Sequence, residues 1–260
     1  MKIKFLAALA SLSLITACSS SDDSGGSGDI YMPLETGNYW TYKVIGETVS
    51  ERDSLYVSGD IVIDTKTYKE MKTLNQPVGF FSNSLNNNGL RKDGSSLKMS
   101  GEIGLNIGET LPISIPVNDF IIFKENASNN QELSSVSGTI EQTIATYPMT
   151  IDYTLKSVSV ETLATFTTPA PDSKTYTDVK KVKTIMNMEV AAIIAPVPFP
   201  ITIMNSQDVV VSVQYYSKNI GMVYANTVIE YELEAEIPGS TIPQTGSQTQ
   251  EEFLDTYQVD

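Results

Sequence analysis

Two residue types decide most of the chemistry open to this chain: cysteine, present once as Cys18, and histidine, which is absent. Without imidazole there is no Ser-His-Asp or Cys-His nucleophile, and the usual nitrogen ligands for zinc, copper and nickel are missing. Cys18 directly follows Leu14-Ile15-Thr16-Ala17. A lone thiol in an exported chain is a reactive liability unless something uses it, and a thioether bond to lipid would use it. With Cys18 acylated, only oxygen-ligand metals such as calcium stay open. No Asp-x-Asn/Asp-x-Asn/Asp-Gly loop exists to hold one. No metal and no cofactor are expected.

Carboxylates are the other candidate chemistry. Glu230, Glu232, Glu234 and Glu236 alternate with apolar residues, which on a strand places them about 7 Å apart along one face. That spacing overlaps the separation of paired glycosidase acids. The same row also describes a solvated outer face that discourages edge-to-edge pairing, and this second reading is favoured. Ser95-Ser96-Leu97-Lys98 matches S-x-x-K, but it falls in an expected hairpin without the accompanying S-D-N and K-T-G elements. There is no G-x-S-x-G, P-loop or dinucleotide fingerprint. No catalytic residue is assigned, and the chain is expected not to be an enzyme.

The elements that would position these groups begin with an export signal. Lys2 and Lys4 precede the apolar run Phe5 to Ala17, which ends in small residues. That is signal-peptide architecture, and it is shorter than the roughly 20 apolar residues of a spanning helix. Leu14 to Cys18 resembles a bacterial lipobox, in which the cysteine is diacylated and becomes the first mature residue. Ser19, Ser20, Ser21, Asp22 and Asp23 follow. They resemble the signal that sends lipoproteins of Bacteroidetes-type bacteria to the cell surface. The resemblance implies an outer-membrane, surface-exposed lipoprotein held by acyl chains on Cys18, each buried methylene adding about 0.8 kcal/mol.

The chain as a whole is acidic, with a formal net charge of −14 over 260 residues. Nucleic acid is a poor partner for such a chain, and anionic headgroups repel it, which leaves the acyl chains as its membrane contact. Three segments are expected: a signal peptide over 1–17, a lipidated and flexible Ser/Asp/Gly tether over 18–29, and one folded domain over 30–260.

That domain is expected to be all-β, an antiparallel meander curled into a half-barrel or sandwich. Trp40, Tyr42 and Val44 alternate onto one face of a first strand. Leu55–Ile63 and Thr67–Leu74 form a pair around Asp64-Thr65-Lys66, and a hairpin turns at Asp93-Gly94. Pro112 and Pro116 assign 105–117 to an edge or loop. Further in-phase sets are Val182, Met186, Met188 and Val190, then Val209, Val211, Val213 and Tyr215, then Phe253, Tyr257 and Val259. A phase change predicts a bulge near Lys156-Ser157. No convincing helical stripe follows the signal peptide. The segment Pro33-Leu34-Glu35-Thr36-Gly37-Asn38-Tyr39-Trp40-Thr41-Tyr42 resembles the P-L-x-x-G-N-x-W-x-Y opening of uncharacterised bacterial surface lipoproteins, which implies an all-β domain with no catalytic residues to carry over.

One stretch is unusual. Ile193, Ile194, Pro196, Val197, Pro198, Phe199 and Pro200 belong to an apolar run from 191 to 204 that its prolines bar from being a helix. It is either a buried connection or an exposed loop that touches lipid, protein or an apolar ligand. The preferred function is a non-enzymatic surface module that binds or scaffolds a protein or glycan outside the cell. The alternatives are a carrier of lipid or another apolar ligand in a concave sheet, and a carboxylate-based glycan-active enzyme.

Overall fold

The architecture was obtained as a computed structural model, which describes residues 31–47, 50–107, 111–194 and 197–260. Cys18, Ser19, Ser20, Ser21, Asp22, Asp23 and Pro196 lie outside the described residues. The chain forms twelve strands: β1 (Tyr39–Gly46), β2 (Ser50–Ile63), β3 (Lys66–Thr73), β4 (Gly89–Asp93), β5 (Ser96–Ile107), β6 (Leu111–Lys124), β7 (Glu132–Ile144), β8 (Tyr147–Thr167), β9 (Thr175–Ala192), β10 (Ile201–Ser217), β11 (Gly221–Glu232) and β12 (Thr245–Gln258). Among the described residues one short helix, α1 (Phe80–Leu85), interrupts them.

All pairings are antiparallel in one sheet, ordered β6-β5-β4-β3-β2-β1-β12-β11-β10-β9-β8-β7. β1 pairs with β12 in the middle of this order, and the sheet curls into a nearly closed barrel that brings its edge strands β6 and β7 towards one another. The turns are written in the sequence. Asp64 and Thr65 both take positive φ (45° and 69°) between β2 and β3, and Gly94 does so (57°) between β4 and β5. At the seam, β6 carries Pro112 and Pro116 and forms one edge, as the sequence suggested. Ser157 Oγ of β8 donates to the Ile121 carbonyl of β6 there.

The inner face is apolar. Trp40, Tyr42, Leu55, Met71, Met186 and Val210 are fully buried, and each removes about 25 cal/mol of free energy per Å² of apolar surface withdrawn from water. Trp40 Nε1 donates to the Ile220 carbonyl at 2.5 Å, so its ring is core and its polar atom is satisfied. Tyr31 reaches in from the chain's start to pack on Phe123, which in turn meets Tyr216.

Several sequence expectations need correction. α1 was not foreseen, because six residues are too few to show a periodic stripe. The bulge expected at Lys156-Ser157 is at Ser159/Glu161; Ser157 and Ser159 both stay on the buried face. In β10 the phase is reversed: Ser212, Gln214 and Tyr216 are buried, while Val211, Val213 and Tyr215 are half-buried on the outside. The outer residues are apolar because Phe166, near the end of β8, stacks on Tyr215 at 4.0 Å and meets Tyr224, which meets Phe253. Phe253 therefore serves this satellite cluster, and Leu254 and Glu252 take the inner face of β12.

Candidate functional site

The strand order fixes which features share an end of the barrel. Turns 64–65, 94–95, 125–131, 168–174 and 218–220 lie at the end where residue 31 enters; the connections β1–β2, β5–β6, β7–β8, β9–β10 and β11–β12 lie at the other. The apolar β9–β10 connection is thus at the end opposite residue 31.

This connection is exposed rather than buried. Phe199 is 62% and Ile193 43% accessible, Pro198 and Pro200 are exposed, and Ile194 and Val197 are half-buried. Pro198 and Pro200 have no N–H to give a ladder, so pairing stops until Ile201. The loop is tied down by Ile193 N donating to the Pro148 carbonyl at 3.1 Å and Val197 N to the Ile194 carbonyl at 3.0 Å. Beside it runs a groove of about 340 Å³, bordered by Glu141, Thr143, Pro148, Thr150, Ile193 and Pro200. Nearby, the Gln142 amide nitrogen is buried with no hydrogen-bond partner. The groove's walls are about evenly polar and apolar, as at macromolecular contacts in general.

The glutamate row does not form a catalytic pair. Glu230, Glu232, Glu234 and Glu236 are all exposed, alternating with buried Tyr231, Leu233 and Ile237. Glu234 accepts from Asn205 Nδ2 at 2.6 Å. The strand itself ends at Glu232. Ser95 and Lys98 of the S-x-x-K match sit on a turn and strand, and Lys98 pairs with Asp93 at 2.5 Å. Among the described residues no group of three His, Cys, Asp or Glu side chains could hold a metal ion.

The acid pair that does converge went unnoticed in the sequence. Asp53 of β2 and Glu252 of β12 point inward at the start of α1. Asp53 accepts from the backbone N–H groups of Val78 (3.1 Å) and Gly79 (2.8 Å). Glu252 accepts from Phe81 N (2.7 Å), Ser82 N (3.3 Å) and Ser82 Oγ (3.0 Å). Gln250 completes the set, accepting from Phe80 N at 2.8 Å and donating to the Val78 carbonyl at 2.7 Å. The helix has no cap from its own Gly79, so its otherwise unpaired N–H groups are satisfied by the barrel wall. Burial pushes the Glu252 carboxyl up to about 7, with neighbouring Asp53 adding to the shift against the hydrogen bonds. Burial likewise raises Asp53. Both carboxylates crowd Gly79: a Cβ there would lie 2.2 Å from Glu252 Oε2 and 2.8 Å from Asp53 Oδ2. The clue in the sequence is thin: Gln250 and Glu252 share a face with Leu254.

A second acid is tuned the other way. Asp119 on β6 accepts two hydrogen bonds from Arg91 at 2.8 Å, one from Tyr68 at 2.7 Å and one from Lys66. The Arg91 guanidinium holds its carboxyl well below the usual carboxylate range. The four residues come from three strands of one wall: Lys66 and Tyr68 from β3, Arg91 from β4 and Asp119 from β6.

No protein-family model, no curated protein and no solved structure matches this chain.

Proposed function

We propose that this chain is a cell-surface lipoprotein, held in the outer membrane by acyl chains on Cys18, whose barrel is a non-enzymatic module that binds or scaffolds a partner outside the cell. The observation that carries the binding role is the exposed apolar β9–β10 loop, Ile193 and Phe199 above all, beside a groove at the end opposite residue 31. Contiguous exposed apolar patches mark contact sites, and in this loop Pro198, Phe199 and Pro200 are exposed in succession.

Three further features support the reading. The interior is occupied by α1 and by aromatic side chains, leaving about 20 Å³ beside Phe81, Met99 and Tyr216, which is far too little for an acyl chain and counts against a carrier. The barrel is apolar inside and carries Lys43, Arg52, Glu230 and Glu232 outside. That is the inverse of a membrane-spanning barrel, which is apolar toward lipid, so the body stands in water. The glutamate row faces solvent instead of a cleft, which counts against the glycan-active alternative.

The test has two parts. Cys18→Ser should abolish metabolic labelling by fatty acid and leave an uncleaved or soluble precursor; unchanged labelling would refute the anchor. A photo-activatable residue in place of Phe199 should give a discrete cross-linked species on intact cells, with the same substitution at Val62 on the opposite end as control. Equal labelling from both positions would remove the binding role from the loop.

A further inference from the structure

We propose that α1 is a proton-controlled latch: a proton held between Asp53 and Glu252 fastens the Phe80–Leu85 turn inside the barrel, and its loss loosens that turn without unfolding the sheet.

The geometry sets this up. Phe80 and Phe81 pack into the core, and the hydrogen bonds that tie the start of α1 to the wall run through three side chains, Asp53, Gln250 and Glu252, from two strands that flank β1. Two of the three are acids, and both are within contact of one point beside Gly79. Glu252 is 1% accessible, so water cannot screen a second negative charge there. The ionisable groups that act on Glu252 are Asp53 from β2, Tyr42 from β1 and Tyr216 from β10; Glu51 acts on Asp53. Both tyrosines are themselves pushed up by burial and stay neutral. α1 turns backbone N–H groups and the Ser82 hydroxyl to Glu252 and carries no charged side chain, and Ala225 faces Glu252 from β11. Among the described residues no Lys or Arg is among the largest influences on either acid. With no cation to offset them, two like charges in a dry site hold one proton between them, as coupled carboxylates do.

The sign follows from linkage. A carboxyl whose folded value lies above its unfolded one contributes stability that is complete below the unfolded value, about 4.3 for glutamate, and is lost as pH rises through the folded one. For Glu252 that window runs from the ordinary glutamate range to about 7. What gives way first is the start of α1, because its hydrogen bonds to the wall run through the acids, while its far end is held separately through Asn83, Asn86 and Asn88 and the strands around it are locked in continuous ladders.

Hydrogen exchange on the full chain between pH 5 and 8, corrected for intrinsic rates, tests the latch. Peptides covering 78–85 should lose protection by up to about tenfold per pH unit, while peptides from β10 and β11 keep theirs. Glu252→Gln should flatten that dependence. Asp53→Asn, which removes the repelling neighbour, should move the loss to lower pH. Protection of 78–85 that does not change with pH in the native chain would overturn the latch. So would an unchanged slope in Glu252→Gln, an unmoved midpoint in Asp53→Asn, or a parallel loss in β10 and β11.

Discussion

Two sets of acidic residues in this barrel, alike in sequence and opposite in setting, explain most of how it works. Glu230, Glu232, Glu234 and Glu236 lie on the wet outer face, exposed and solvated. Asp53 and Glu252 lie on the inner face, sealed against a helix whose backbone N–H groups they accept. On the outer face, water stabilises each charge, so the row is tolerant and chemically ordinary. On the inner face the protein must supply the hydrogen bonds itself, and it does so by folding α1 onto them. The pair is thus a structural connector between strands and helix, and its protonation is tied to where the helix sits.

The contrast can be strained most by deleting an inner acid. Glu252→Ala should lower stability by about 3–5 kcal/mol, since it leaves the N–H groups of Phe81 and Ser82 buried and unpaired; urea unfolding would read this, and a change under 1 kcal/mol would remove Glu252's structural role. Asp119→Asn comes next, at about 2 kcal/mol, through the weakened Arg91 and Lys66 contacts. Asp119 also sharpens the pH behaviour because its sign is opposite. Its folded value is depressed, so its contribution is present above the unfolded value near 4 and lost as pH falls below it. Thermal unfolding should therefore show native stability falling at both ends: on acidification through Asp119, and on rising from the ordinary glutamate range to about pH 7 through Glu252. In Asp119→Asn the acid limb should shrink and the neutral limb remain. Least affected should be the fourfold change of Glu230, Glu232, Glu234 and Glu236 to Gln, with each site within about 0.5 kcal/mol. A large loss there would mean that the outer row is structural after all.

The same contrast shows how far sequence reading reached. Trp40 and Tyr42 were placed on the buried face, and the turns at Asp64-Thr65 and Asp93-Gly94 were placed between the right strands, because alternation and positive φ are local properties of the chain. β10 was read in the wrong phase, because Val211, Val213 and Tyr215 are apolar for a reason the strand itself does not contain: Phe166 closes over Tyr215 from another strand. The apolar stretch at Ile193 to Pro200 was singled out by composition, but whether it was covered depended on neighbours that are distant in sequence. Glu252 was missed because one carboxylate in an acidic C-terminal strand reads as surface.

By itself, the sequence determined the all-β class, the order of turns and most of the strand alternation, since each of these is set within a few consecutive residues. Only the tertiary structure decided which face of each strand looks inward, that β1 pairs with β12, and that Asp53 and Glu252 meet across 199 positions of chain at one helix. The reason is physical: whether a side chain is dry, and whether a carboxylate must keep its proton, depends on what packs over it from elsewhere in the chain.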